Sequence, residues 1–199
     1  MYNWLYEWTN QNPGWTRQQK AQNVDIIAGY FTAQGWTLNA ICAMLGNMEA
    51  EGLFNPAQWQ FGTIIEDPSY PNTVGFGLVQ WTPWQKYAWW AEERGYDWRN
   101  NYDYELERIQ WELDNGEQWD NNRPGHPYPE SFYDFSRSEQ TLDYLTECFF
   151  WCYEYGTWDS SRISNAYYWW GYLSENPPPQ PTNKKFKLLF YLKPYWKRR

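Results

Sequence analysis

The chain has 199 residues, enough for one compact domain and a tail, and its 17 Trp, 18 Tyr and 10 Phe supply too much apolar surface for a disordered polymer. Its net charge of -8 is unevenly spread: residues 1–175 carry nine basic and all 24 acidic residues, whereas residues 176–199 carry seven Lys and Arg and no acid. An acidic body argues against nucleic acid as the main partner, because phosphates are repelled.

Three cysteines, Cys42, Cys148 and Cys152, make no disulfide framework; Cys148 and Cys152 have the spacing of core positions on one helix. The single histidine, His126, lies in a Pro/Gly turn and leaves no Cys/His metal pattern, so neither metal nor cofactor is expected. The N-terminus lacks the basic start and apolar run of a secretion signal. No segment approaches the ~18 apolar residues that a membrane span needs. The chain is therefore expected to be made in a cytoplasm.

Helix signals come first along the chain. Thr16-Arg17-Gln18-Gln19 is a capping box, and it opens a helix with Val24, Ile27 and Phe31 on one face and Gly35 at its end. Thr37 caps a second helix, whose apolar face is Leu38, Ile41, Cys42, Leu45 and Met48 and whose stop is Gly52. Residues 60–79 contain Gly62, Pro68, Pro71, Gly75 and Gly77 around Thr63-Ile64-Ile65, and read as a loop with a short hairpin. Thr82-Pro83-Trp84-Gln85 carries the start signals of a third helix. A fourth holds Leu106, Ile109 and Leu113 and stops near Gly116. Ser136-Arg137-Ser138-Glu139 boxes a fifth that ends at Gly156, and a sixth covers 162–173. Asn176–Pro181 has four prolines in six residues. The expected division is thus a catalytic or binding body at 1–175, a linker at 176–183 and a basic tail at 184–199.

Two blocks carry chemistry. The first holds Leu45-Gly46-Asn47-Met48, Glu51, Asn55-Pro56 and Trp59-Gln60; the second is Gly75-Phe76-Gly77-Leu78-Val79-Gln80-Trp81-Thr82-Pro83. In order and separation they resemble the phage tail lysozyme family, in particular the lysozyme domains of tail-tip cell-wall-degrading proteins of small short-tailed Bacillus phages. The likeness continues more weakly to about Leu173. The pairing of an acid at a helix end with a later Gly-Leu-x-Gln is also similar to goose-type lysozymes and lytic transglycosylases. The resemblance implies a mainly α, lysozyme-like (α+β) fold: a helical bundle around a central helix, with a small loop or hairpin region flanking a substrate groove. It also implies a peptidoglycan muramidase, with Glu51 as the catalytic acid. Where the family usually has Ser before that Glu, this chain has Ala50.

Helical periodicity alone does not choose between Glu49 and Glu51. Glu51 falls in the last turn, where the helix dipole disfavours a carboxylate and so favours the proton a general acid needs. That leaves Glu49 as an exposed helical glutamate. A second group is expected, since glycoside hydrolysis commonly uses two carboxyls. Glu66 and Asp67 in the loop are candidates. Gln80 and Thr82 are alternatives that position water or the N-acetyl group, and the substrate's own N-acetyl oxygen is a third route. Gly75 and Gly77 are expected to let backbone approach the sugar, and Trp81, Trp59 and Tyr153 are candidates to stack on pyranose rings.

Three readings follow: a muramidase cleaving between N-acetylmuramic acid and N-acetylglucosamine, a lytic transglycosylase leaving anhydro ends, and a non-catalytic virion or wall-binding module with a lysozyme fold. The expected partners are glycan strands and phage tail proteins, the expected state a monomer, and the expected location the virion tail or the host cytoplasm before release to the wall. The basic tail is expected to offset repulsion of the acidic body by anionic walls.

Overall fold

Thr16 opens α1 (Arg17–Ala33) by the reciprocal bonds of a capping box: its Oγ1 accepts from Gln19 N–H at 3.3 Å, and Gln19 Oε1 accepts from Thr16 N–H at 3.0 Å. This computed structural model describes residues 1–8, 12–60 and 73–178. Val24, Ile27 and Phe31 are fully buried, as their spacing predicts. The chain leaves α1 at Gly35 with a φ of +82°, a backbone that L side chains rarely adopt.

Thr37 starts α2 (Leu38–Glu51), its Oγ1 accepting from Ala40 N–H at 3.2 Å. Every residue from Ala40 to Glu49 is buried, so this helix has no solvent face and forms the axis of the bundle. α6 (Leu142–Phe149) and α7 (Ser161–Glu175) pack along it, with α1 and α5 (Phe132–Arg137) also touching it. Gly46 sets the distance to α7: a Cβ there would lie 2.4 Å from the Arg162 carbonyl and 2.9 Å from the Ala166 Cβ. Gly46→Ala is therefore expected to destabilise the fold by about 1–3 kcal/mol, because rigid backbone must move. Thermal denaturation measures it, and an unchanged midpoint would show that α7 withdraws at no cost. Asn47 joins three helices, donating to the carbonyls of Ala43 and Thr146 and accepting from Arg162 Nη1 at 3.1 Å.

α3 (Gln85–Glu92) begins later than its sequence signals indicate. Thr82 does not cap it: its hydroxyl donates to the Gln80 carbonyl, 3.0 Å away, the Thr82–Pro83 bond is cis, and Trp84 stands at the helix start. α4 (Asp103–Asn115) ends as expected, at Gly116 in the left-handed region. The fifth expected helix is two. Ser136 lies inside α5 and donates to the Tyr133 carbonyl, while Thr141 caps α6. α6 runs into a π-helical turn, Phe150–Glu154, which closes at Tyr155 with φ +59° rather than at Gly156.

The architecture is mainly helical and lysozyme-like, and no extended strand occurs among the described residues. The expected hairpin is present in minimal form: Phe76 makes single antiparallel bridges with Trp59 and with Trp81. It rests on an aromatic cluster in which Phe76 lies 4.8 Å from Trp59 and 5.2 Å from Trp98, ring centre to ring centre. A second cluster joins Trp36, Trp119, Phe132, Phe135, Phe149 and Tyr153. Much of the aromatic content is thus core, not surface. The three cysteines are buried and unpaired. No described helix is long and apolar enough to cross a membrane. α7 ends at Glu175, and the tail at 184–199 lies outside the described residues.

Candidate active site

Glu51 ends α2 at the edge of a groove of about 740 Å³. Gly52 follows it with good reason. A Cβ there would meet the Gly77 carbonyl at 2.9 Å, so the missing side chain lets the hairpin close against the helix end. The chain then turns through Leu53 and Phe54, both at positive φ, and the Phe54 carbonyl accepts from buried Asn23 Nδ2 at 2.8 Å. The Glu51 side chain is 25% exposed, and its Oε1 accepts from Arg162 Nη2 at 2.5 Å. Arg162 is itself only 6% exposed and is further held by Asn47 Oδ1. A short, charge-assisted bond to a buried guanidinium fixes the carboxyl in one orientation.

Of the residues expected at the site, Glu51, Gln80 and Thr82 come together on the groove wall. Lys86 and Gln118, which were not expected, also line it and meet at 3.2 Å. The Gln80 amide donates to the carbonyls of Gly77 and Gln58, so it braces the hairpin from within. Gly77, Trp81 and Tyr153 do not line the groove. Trp81 is 2% exposed, stacked on Tyr87 at 4.9 Å, with its indole N–H on Glu112 at 3.0 Å. The Tyr153 hydroxyl donates to the same Glu112 at 2.5 Å, and Arg108 Nε does so at 2.7 Å. The faces of both rings are thus already covered by protein, Trp81 by Tyr87 and Tyr153 by Phe149; Trp59 is likewise core. Gly77 is glycine because its φ is +83° and a Cβ would sit 2.6 Å from Glu105 Oε2. Glu66 and Asp67 lie outside the described residues.

Glu49 is not the exposed glutamate expected. It is buried, with Oε1 on Lys20 Nζ at 2.9 Å and Oε2 on the Trp169 indole N–H at 2.8 Å. The helix has no exposed face at this point, so the charge can only be tolerated with partners.

Glu105 supports the hairpin by accepting from Leu78 N–H at 2.7 Å. Burial pushes its carboxyl well above the ordinary value of 4.5, and the Leu78 bond acts weakly the other way. A group raised on folding stabilises below its unfolded pKa and loses that stability as pH rises toward the folded one. Glu105→Gln keeps shape and acceptor but cannot ionise. It is expected to melt higher than the parent at about pH 8 and no higher at about pH 4, in thermal scans. The same difference at both values would show that Glu105 ionisation is not coupled to folding.

Among the groove residues that the sequence did not single out are Arg162 and Glu154. Arg162 is the second residue of α7, and Glu154 closes the π turn. Arg162 is 111 positions from the carboxylate it holds. One signal was available: a cation at a helix N-terminus and an acid at a helical C-terminus are both poorly placed unless something faces them.

The model describing phage tail lysozymes matches residues 22–173. Morphogenesis protein 1 of Bacillus phage B103 is 39% identical over 145 residues, which cover 73% of this chain and 37% of that protein. The chain thus spans little more than a third of the length of this relative.

Proposed function

The chain belongs to the phage tail lysozyme family, and on that footing we propose that it is a glycosidase that cuts the glycan backbone of bacterial peptidoglycan, with Glu51 as general acid. The carrying observation is the placement of Glu51. It is a partly exposed carboxyl at a helix end, oriented by a buried Arg, on the wall of a groove large enough for a sugar chain. Glu51 protonates the oxygen linking N-acetylmuramic acid to N-acetylglucosamine, and the leaving sugar departs as positive charge develops on the ring. The bond is completed by water, held by Gln80 or Thr82 or activated by Glu66 or Asp67, or by the substrate's own N-acetyl oxygen. Partial exposure of Glu51 matters here, because a fully buried acid could not reach substrate.

Digestion of purified murein followed by mass spectrometry tests the reading. Reducing muramic-acid ends are expected. Anhydro ends would make the enzyme a lytic transglycosylase, and reducing glucosamine ends would sink both assignments. The relative from phage B103 is named a morphogenesis protein, which favours a place in the virion tail. Detection of the chain in purified virions checks that location.

A further inference from the structure

Glu51, Glu154 and Arg162 line one stretch of the groove, brought there by α2, the π turn and α7. Two of their atoms are in an expensive state. Glu154 Oε1 and Arg162 Nε are both buried and have no hydrogen-bond partner among the described residues. An acceptor and a donor left unmade in one cluster each carry a desolvation penalty, which native structures rarely retain without a use. The groups that bear on Glu154 come from three elements: Glu51 of α2, Glu112 of α4 and Arg162 of α7; Lys86 of α3 lines the same groove. Burial raises the Glu154 carboxyl well above the ordinary value, the charge of Glu51 adds to this, and Arg162 opposes it. Two acids under the influence of one guanidinium, only Glu51 bonded to it, resist ionising together in a partly dry site.

We propose that Glu154 is a positioning residue for the reaction assigned above: it stores the proton that Glu51 delivers to the glycosidic oxygen, and Arg162 exchanges partners as the proton moves. This rests on the assignment of Glu51 as the acid. In the exchange, the O–H bond of the Glu154 carboxyl breaks and an O–H bond forms on Glu51. The negative charge passes from Glu51 to Glu154, the number of protons in the groove is unchanged, and no electrons are transferred. Arg162 neutralises Glu51 before the exchange and Glu154 after it. The unmade bonds at Nε and Oε1 are the ones left free for the second arrangement. The pair provides a site whose proton persists above the ordinary carboxylate range without a fully buried catalytic acid.

The test is the pH profile of murein cleavage for the parent, Glu154→Gln and Glu51→Gln, with ¹³C NMR titration of labelled glutamate carboxyls in each. In Glu154→Gln the alkaline limb is expected to move down by about one pH unit, which is a roughly tenfold loss on that side and little change at about pH 5. In the parent the Glu154 carboxyl is expected to titrate above the ordinary range, as is the buried Glu105 carboxyl, which serves as an internal control. The Glu154 signal is expected to vanish in Glu154→Gln and to move down in Glu51→Gln, while the Glu105 signal stays in place. An unchanged profile in Glu154→Gln, or an equal loss at every pH, would overturn the proposal. If Glu154→Gln fails to fold, the NMR titrations of the parent and Glu51→Gln decide it, and the absence of any raised carboxyl that moves down in Glu51→Gln overturns it. An active Glu51→Gln would instead remove the assignment of the acid. An inactive Glu51→Gln beside an unaltered Glu154→Gln profile leaves that assignment standing and ends this one.

Discussion

Glu51→Gln is expected to lower the rate of murein cleavage by about 10²- to 10⁴-fold while the protein remains folded. The substitution removes one thing. Gln has the same shape, and its amide oxygen can still accept from Arg162 Nη2, which now meets Glu51 at 2.5 Å. Asn47 continues to hold the guanidinium from its other side. What is lost is the proton, and with it protonation of the leaving oxygen. The clearing of a cell-wall suspension measures the rate, and a melting curve shows that the fold persists. If the variant clears walls as fast as the parent, Glu51 has no part in the chemistry. A folded, inactive variant that still sediments with walls would separate binding from cleavage and exclude a purely structural role.

Two residues earlier in the same helix, Glu49→Ala is expected to destabilise the protein by about 3–5 kcal/mol. Glu49 and Lys20 have side chains only 7% and 10% exposed, and they meet at 2.9 Å. Removing the carboxylate strands a buried ammonium and unpairs the Trp169 indole N–H. The cost comes from the partners left behind, not from the net worth of the pair. Replacing both charges with apolar side chains, as in Lys20→Met with Glu49→Leu, is therefore expected to recover most of the loss. Urea unfolding gives both numbers. A single-variant loss below about 1 kcal/mol would mean that Lys20 reaches water when its partner is gone. Set beside Glu51→Gln, the pair of experiments assigns stability to one glutamate and chemistry to the other.

The capped ends of α1 and α2 were legible because a cap is a local device: Thr16 and Thr37 accept from backbone N–H groups three residues ahead. The same reasoning misplaced the start of α3 and the division of α5 from α6. Thr82 and Ser136 have the right residue types, but Thr82 precedes a cis peptide bond three residues before α3, and Ser136 lies inside α5. The aromatic residues misled in another way. Trp81 and Tyr153 have polar tips and large faces that suit either a sugar or a core, and only the position of Glu112 between them decides for the core.

The sequence by itself determined the family resemblance, the central helix with its cap and glycine stop, and the two blocks that single out Glu51. These are readable because they depend on residues close together in the chain. Only the tertiary structure decided what surrounds that acid. Glu49 became a buried structural partner of Lys20, Arg162 arrived from 111 positions away, and Glu154 was turned into the groove by a π turn. Charges pair through space, and the burial that sets their protonation depends on how helices distant in sequence close around them.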